Sequence, residues 1–390
     1  MAIDTTSVSR RDFLGLLSAA AAGSIAPVGH AVAGVAGCGL YITSAREGVE
    51  TFSALALGAD GQIAQRVALP ARGHDIALRP GTPDCVVFAR RPGTFAIAFD
   101  ATGAKPPVSF TTRPDRHFFG HGVFSGDGRL LYATENDFTG ERGMISVRDV
   151  AAGYRQIGEF SSAGIGPHDI ALLADGVTLV VANGGIDTNP DSGRAPLNLD
   201  TMQPSLAYID VRNGEIIDQQ MLPPPLHQLS IRHLAVSRDD IVTFGCQHEG
   251  EGQPPLVGWH KRGGAPVLFE APDETYGAMK NYIGSVAMDS SGSIVSATSP
   301  RGGRVLFFDV SSRKFIGDAA IKDVCGVAPR HHGEGFLLTT GLGEVTVRDP
   351  GHSPSDTPTR YFEGLAFDNH AILMARGDSP PGSRPPRVDD

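Results

Sequence analysis

The sequence is short of several residue types, and each shortage excludes something. Four cysteines in 390 residues are too few for a disulfide framework, and no two are spaced as Cys-x-x-Cys, which removes zinc ribbons and thiol-exchange sites. Only 33 lysines and arginines stand against 43 acidic residues, a formal net charge of -10, which argues against a nucleic-acid or anionic-lipid partner. Beyond Ala36 no run reaches the ~18 apolar residues of a membrane span. A Gly-x-Ser-x-Gly elbow, a phosphate-binding Gly-Lys-Ser/Thr loop and a His-Glu-x-x-His motif are all missing, so nucleophilic catalysis has no candidate.

Glycine and proline are plentiful. Together the 49 glycines and 28 prolines make up about a fifth of the chain, which implies many tight turns and no long helices, while 41% hydrophobic content is ample for a folded core. A chain of this length exceeds one ordinary core, so it forms either two domains or one repeated unit.

The first segment reads as an address. Ser9-Arg10-Arg11-Asp12-Phe13-Leu14 precedes an apolar, small-residue run from Leu14 to Ala26, and this resembles the twin-arginine export signal. Cleavage after Ala31-Val32-Ala33 is expected, making residues 1–33 a signal peptide and the mature protein periplasmic, without a transmembrane helix. Val35-Ala36-Gly37-Cys38 also passes as a lipobox, but strand-like sequence from Leu40 would leave a lipid on Cys38 almost no tether. That export route carries folded proteins, some with a metal already loaded.

A repeat dominates the rest. Gly73-His74-Asp75-Ile76-Ala77-Leu78, Gly120-His121-Gly122-Val123-Phe124, Pro167-His168-Asp169-Ile170-Ala171-Leu172 and Arg232-His233-Leu234-Ala235-Val236 are copies of one start. Weaker copies begin at Gly284, Gly326 and Asn369-His370. Each start is followed by a Gly- and Asp-rich turn, such as Ser125-Gly126-Asp127-Gly128, and then by an apolar run such as Leu179-Val180-Val181-Ala182. Four short strands per unit of 40 to 50 residues is the pattern of a β-propeller blade. The seventh start has no room for three more strands, but residues 39–69 hold three strands with no first strand before them. The expectation is an all-β, seven-bladed β-propeller over residues 34–376, its ring closed by the N-terminal strands pairing with the C-terminal inner strand, and a disordered tail at 377–390.

In such a ring the residues entering each first strand and leaving each second strand collect on one face. The entering set holds five of the 13 histidines, His74, His121, His168, His233 and His370, which are the candidate metal ligands. Around them stand the candidate ligand-binding residues Arg116, Glu135, Asn183, Arg194, Arg232, His248, Glu249 and Arg301. Asp75 and Asp169 either orient an imidazole or bond loop amides. Histidines that merely bond backbone and water along the channel remain an equal alternative. The hydrogen-bonded tetrad that uses a Gly-His pair in WD-repeat propellers is unavailable, because Trp259 is the one tryptophan. Sevenfold symmetry by itself would hold the histidines too far apart for one ion, so convergence requires a subset to tilt inward. The long polar loop from Gly184 to Pro204 stands on the same face and reads as a lid. Cys85, Cys246 and Cys325 read as small core residues, and the pair His331-His332 as solvent-exposed on the far face.

The twin-arginine start, the Gly-His-Gly-Val-Phe and Pro-His-Asp-Ile repeats, Tyr132-Ala133-Thr134-Glu135-Asn136-Asp137, Ala182-Asn183-Gly184-Gly185-Ile186 and Arg232-His233-Leu234 together resemble the family catalogued as domain of unknown function 1513, over nearly the whole chain. Members are exported, propeller-like proteins often encoded beside imelysin-type proteins of bacterial iron uptake. The resemblance therefore implies a periplasmic iron-handling context without a defined activity. A looser similarity is to the propeller of nitrous oxide reductase, whose channel-mouth histidines hold a copper cluster. This chain lacks the second copper domain and its Cys ligands, which argues against that activity.

Two functional readings follow. The leading one is a non-enzymatic, monomeric binding protein of an iron or haem acquisition system, whose histidine face holds a metal (iron or copper), a small metal complex or a periplasmic iron-uptake partner. The other is a metal-dependent oxidoreductase or hydrolase in which His74, His121, His168 and His233 hold the metal and Glu135 or Glu249 moves protons.

Overall fold

The chain is described by a computed structural model over residues 39–193, 195–331, 335–350 and 359–375. The expected signal peptide, Cys38, the domain limits at 33/34 and 376/377, and the tail lie outside these residues. The apolar runs of the repeat become strands, grouped in seven four-stranded antiparallel sheets that form a seven-bladed propeller. From the axis outward, one blade is β4 to β7 (Gly73–Leu78, Asp84–Ala89, Phe95–Asp100, Val108–Thr111), and the next is β8 to β11 (Arg116–Phe124, Leu130–Asp137, Arg142–Asp149, Arg155–Ser161). There follow β12 to β15 (Pro167–Leu172, Thr178–Asn183, Ser205–Asp210, Ile216–Met221) and β16 to β19 (Leu229–Val236, Ile241–His248, Val257–Lys261, Val267–Leu268). Then come β20 to β23 (Ser285–Met288, Ile294–Ser299, Arg304–Asp309, Lys314–Ala320) and β24 to β27 (Val324–Pro329, Phe336–Thr340, Glu344–Arg348, Thr359–Tyr361).

The seventh sheet draws on both ends of the described chain. Its inner strand β28 (Leu365–Met374) pairs antiparallel with β1 (Leu40–Glu47), matching Tyr41 with Leu373, and β2 (Thr51–Leu57) and β3 (Ile63–Leu69) complete it. The inner strand thus starts five residues before His370, because Ala366 and Phe367 also find partners on β1, Arg46 and Ala45.

Burial follows position in the blade. Second and third strands are covered by neighbouring blades on both faces, so Cys85 to Ala89 and Thr178 to Asn183 are buried without alternation, as in other sheets covered on both sides. Outer strands touch one neighbour and alternate: Lys314 to Ala320 runs exposed, half-buried, exposed. Apolar side chains fill the wedges between blades. Phe88, Phe110, Phe118 and Phe124 form one such cluster, each contributing about 1.5–3 kcal/mol by leaving water. Cys85, Cys246 and Cys325 are buried free thiols, as expected of small core residues.

The turns between first and second strands are built by aspartates. Asp175 accepts from the amides of Val177 and Thr178, and Asp289 from those of Ser293 and Ile294, which closes the loop before the chain re-enters the sheet. On this far rim His331, expected to be exposed, is half-buried instead. Its amide donates to the Tyr41 hydroxyl at 3.1 Å and its ring packs over Gly39, where a Cβ would collide with it, while His332 lies outside the described residues. One short helix, α1 (Asp273–Ala278), links β19 to β20, and no helix among the described residues is long and apolar enough to cross a membrane.

Candidate metal centre

A regular inner strand would hold its side chains against its own blade. Six of the seven inner strands break register near the same level: β4 between Gly73 and Ile76, β8 between Phe118 and Gly122, β12 between Pro167 and Asp169, β16 between Ile231 and His233, β24 between Val324 and Val327, and β28 between Phe367 and Ala371. Such bulges leave residues unpaired and re-aim their side chains. Only β20 pairs without a shift, and it carries Ser285 rather than a histidine at its start. Buried hydroxyls satisfy carbonyls that the bulges release. Thr43 donates to the His370 carbonyl at 2.6 Å, Ser44 to that of His74 at 3.1 Å, Thr134 to that of His121 at 3.1 Å and Thr298 to that of Cys325 at 2.6 Å. In β8 the bulge needs glycine: Gly120 has φ of +108°, and a Cβ there would lie 2.6 Å from Cδ2 of His74.

The five histidines therefore converge where sevenfold placement alone would separate them. Going around the cluster, ring centroids are 5.0 Å apart for His74 and His121, 4.9 Å for His121 and His168, 4.8 Å for His168 and His233, 5.0 Å for His233 and His370, and 4.7 Å for His370 and His74. All five are buried. Nε2 of His121, Nδ1 of His168, Nδ1 of His233 and Nε2 of His370 lack a hydrogen-bond partner among the described residues, an arrangement that is costly unless something else fills it. Three sets of ligand atoms lie within 4.8 Å of one another: His74, His121 and His168; His121, His233 and His370; and Asp75, His121 and Asp169.

Charge divides the five unequally. Burial holds His74, His168 and His233 well below the usual imidazole value, and His370 below it. For His121 burial acts the same way, but the carboxylates of Asp169 and Asp75, at 3.2 and 3.0 Å from Nδ1, overrule it and raise the imidazole to about 10. Burial likewise pushes Asp75 up, yet the fields of His370 and His121 bring it down to about 2. Asp169 also accepts from the amides of Ile170 and Leu234, so the two roles open to it in the sequence coexist. Asp368, which the sequence reading missed, anchors the other side. It accepts from His74 Nδ1 at 3.2 Å and pairs with Arg72 and Arg90, and these partners outweigh its burial and keep it ionised.

The cluster plugs the axis. On one side His74, His168 and His233 line a cavity of about 210 Å³, together with Arg90, Arg91, Arg232, Glu249 and Arg301. Ile186 and Pro196 from the long loop reach this cavity, as a lid would. On the other side Asp75, Asp169, His233 and His370 face a cavity of about 550 Å³ walled by Ile76, Ile170, Leu234 and Val286.

Of the expected ligand-binding residues, Arg232, Glu249 and Arg301 line the mouth. The others do not. Arg116 is buried in ion pairs with Asp137 and Glu159, Glu135 is paired with Arg148 at 2.8 Å inside the blade, and Asn183 donates to the Ser162 carbonyl at 2.8 Å. Their strands are covered on both faces, so the partners these side chains have are internal ones. His248 bonds to the Glu251 carbonyl at 2.9 Å, and Arg194 lies outside the described residues. Tyr282 and Asn369, not singled out from sequence, do line the mouth, with Asn369 donating to the Tyr282 hydroxyl at 2.8 Å.

These features define a seven-bladed propeller with a buried histidine cluster on its axis. The chain belongs to the family described as protein of unknown function (DUF1513), whose profile matches residues 67–374. No curated protein matches the sequence. Among solved structures it is similar to a chain of the Kuenenia stuttgartiensis hydrazine synthase (TM-score 0.55, 13% identity, covering 80% of this chain and 90% of that one). It is also similar to a chain of the mitotic checkpoint complex (TM-score 0.52, 12% identity, 75% and 82%). At these identities the likeness is one of fold alone.

Proposed function

We propose that this protein is a non-enzymatic, periplasmic metal-binding protein of a bacterial iron acquisition system, with its ion held by histidines of the axial cluster. The observation that carries this reading is the cluster of buried imidazoles, several with unpartnered nitrogens, that falls into two sets of three with ligand atoms within 4.8 Å of one another. Imidazole binds a first-row transition metal at about 2.0–2.1 Å, so three nitrogens around one ion stand roughly 3–3.5 Å apart, and ring rotations would bring three of these nitrogens to that spacing. The four imidazoles held neutral, His74, His168, His233 and His370, suit iron or copper, His121 would release its proton on joining them, and Asp75 and Asp169 supply the two negative charges that offset a dication. Asp75 and Asp169 beside His121, with Asp368 on His74, are the outer carboxylates that orient such ligands.

The enzymatic alternative loses one of its two proton carriers, because Glu135 is tied to Arg148 away from the cluster. Export by the twin-arginine segment and the iron-uptake setting rest on the sequence resemblance.

Elemental analysis of protein exported under metal-replete conditions tests the reading. About one transition-metal ion per chain is expected in the wild type, with loss in His121→Ala and His168→Ala. A folded wild type free of stoichiometric metal overturns it.

A further inference from the structure

The mouth above the histidines carries the opposite charge from the rest of the molecule. In a chain of net charge -10, Arg90, Arg91, Arg232 and Arg301 line the cavity of about 210 Å³, and Arg46 and Arg72 join Arg90 and Arg301 around an adjoining cavity of about 590 Å³. Against these six guanidinium groups stand Glu249 and Asp323 on the walls and buried Asp368 beneath. Two of the arginines are preset. Arg232 is buried, with one long hydrogen bond to Ser230 at 3.3 Å and Glu249 no nearer than 3.8 Å, so among the described residues most of its five donors have no protein partner. Arg301 is exposed but lies 4.6 Å over the ring of Tyr282, whose hydroxyl is fixed by Asn369.

A hydrated metal cation approaching this face meets a repulsive field, although the histidines beneath would bind it. An anion meets an attractive field and forked donors matched to carboxylate oxygens. We propose that the mouth binds a small polycarboxylate anion and that the metal arrives as its anionic carboxylate chelate, the arginines holding the carboxylates and the histidines taking up the ion. The second half of this inference rests on the metal-binding reading above, while the anion site stands on the arginines alone. No redox step is involved: carboxylate oxygens leave the ion as imidazole nitrogens replace them, and the released anion stays paired with the arginines.

The test is calorimetric titration of the full mature chain with four probes: citrate, inorganic phosphate, ferric citrate, and a copper(II) salt without chelator. Citrate should bind the metal-free protein, weaken with added salt, and outcompete phosphate. Arg301→Glu, an exposed change that spares the core, should weaken citrate and ferric citrate by about tenfold to a hundredfold, and Arg232→Gln should act in the same direction. Neither variant should weaken the chelator-free copper salt. Citrate binding that is absent, or unchanged in both variants, overturns the anion site even if copper still binds. Phosphate binding tighter than citrate overturns the polycarboxylate class. Citrate binding intact while neither copper nor ferric ion is retained leaves the anion site standing and removes the metal reading instead.

Discussion

Gly120→Ala tests how the fold places the histidines. The backbone there has φ of +108°, and holding a residue with a side chain in so sparsely populated a region costs about 1–3 kcal/mol. The new methyl would also lie 2.6 Å from Cδ2 of His74. That ring has little room to retreat, since its Nδ1 donates to Asp368 at 3.2 Å and its centroid is 4.7 Å from that of His370. Overpacking of this kind adds about 1–3 kcal/mol, so a total loss of about 2–6 kcal/mol is expected. Gly153→Ala is the control. Gly153 has φ of +67° with nothing within 4 Å of an added Cβ, so only the left-handed backbone penalty of about 1–2 kcal/mol applies. Equilibrium unfolding in urea reads both, and a lower midpoint at unchanged slope isolates stability. Metal content should fall in the first variant and hold in the second. If Gly120→Ala unfolds no earlier than Gly153→Ala, the close packing of His74 against the bulge is refuted.

Other expectations follow from the buried charges. Glu135→Gln leaves the Arg148 guanidinium buried without its carboxylate and should lower stability by about 3–5 kcal/mol in the same urea assay, while metal content per folded chain stays unchanged. The metal-free protein should lose stability as pH falls below about 6.5. His74, His168, His233 and His370 have lowered native values, so the unfolded chain takes up protons that the native cluster refuses, by up to about 1.4 kcal/mol per pH unit for each. His121 has a raised value of about 10. Its contribution is fully present below its unfolded value near 6.5 and is lost as pH rises from there through about 10, so between pH 7.5 and 5.5 it offsets about one of the four acid losses and leaves the net sign unchanged. Unfolding midpoints at pH 7.5 and 5.5 check the sign, and equal midpoints would contradict the buried, neutral state of the four rings.

The blade count was legible because the Gly-His-x-Ile/Val-Ala start, the Asp-Gly turn and the apolar run each recur with a β period, and the two chain ends complete one unit. The five histidines were legible for the same reason. Their convergence was not, since a bulge adds residues without disturbing the composition of a short strand, and no local pattern marks it. One trace existed in the acidic neighbours: Asp75 and Asp169 each follow a histidine, and Asp368 precedes His370 by two. For Arg116, Glu135 and Asn183, position at a strand end gives the face but not whether a partner such as Asp137, Arg148 or Ser162 already holds the side chain.

X-ray absorption fine structure of the metal-loaded protein probes the cluster most directly. A first shell of nitrogen at about 2.0–2.1 Å, with the outer-shell scattering of several imidazole rings that diminishes in His233→Ala, is the expected result. A shell of oxygen alone, indifferent to that substitution, would place the metal elsewhere and contradict a histidine-held ion on the propeller axis.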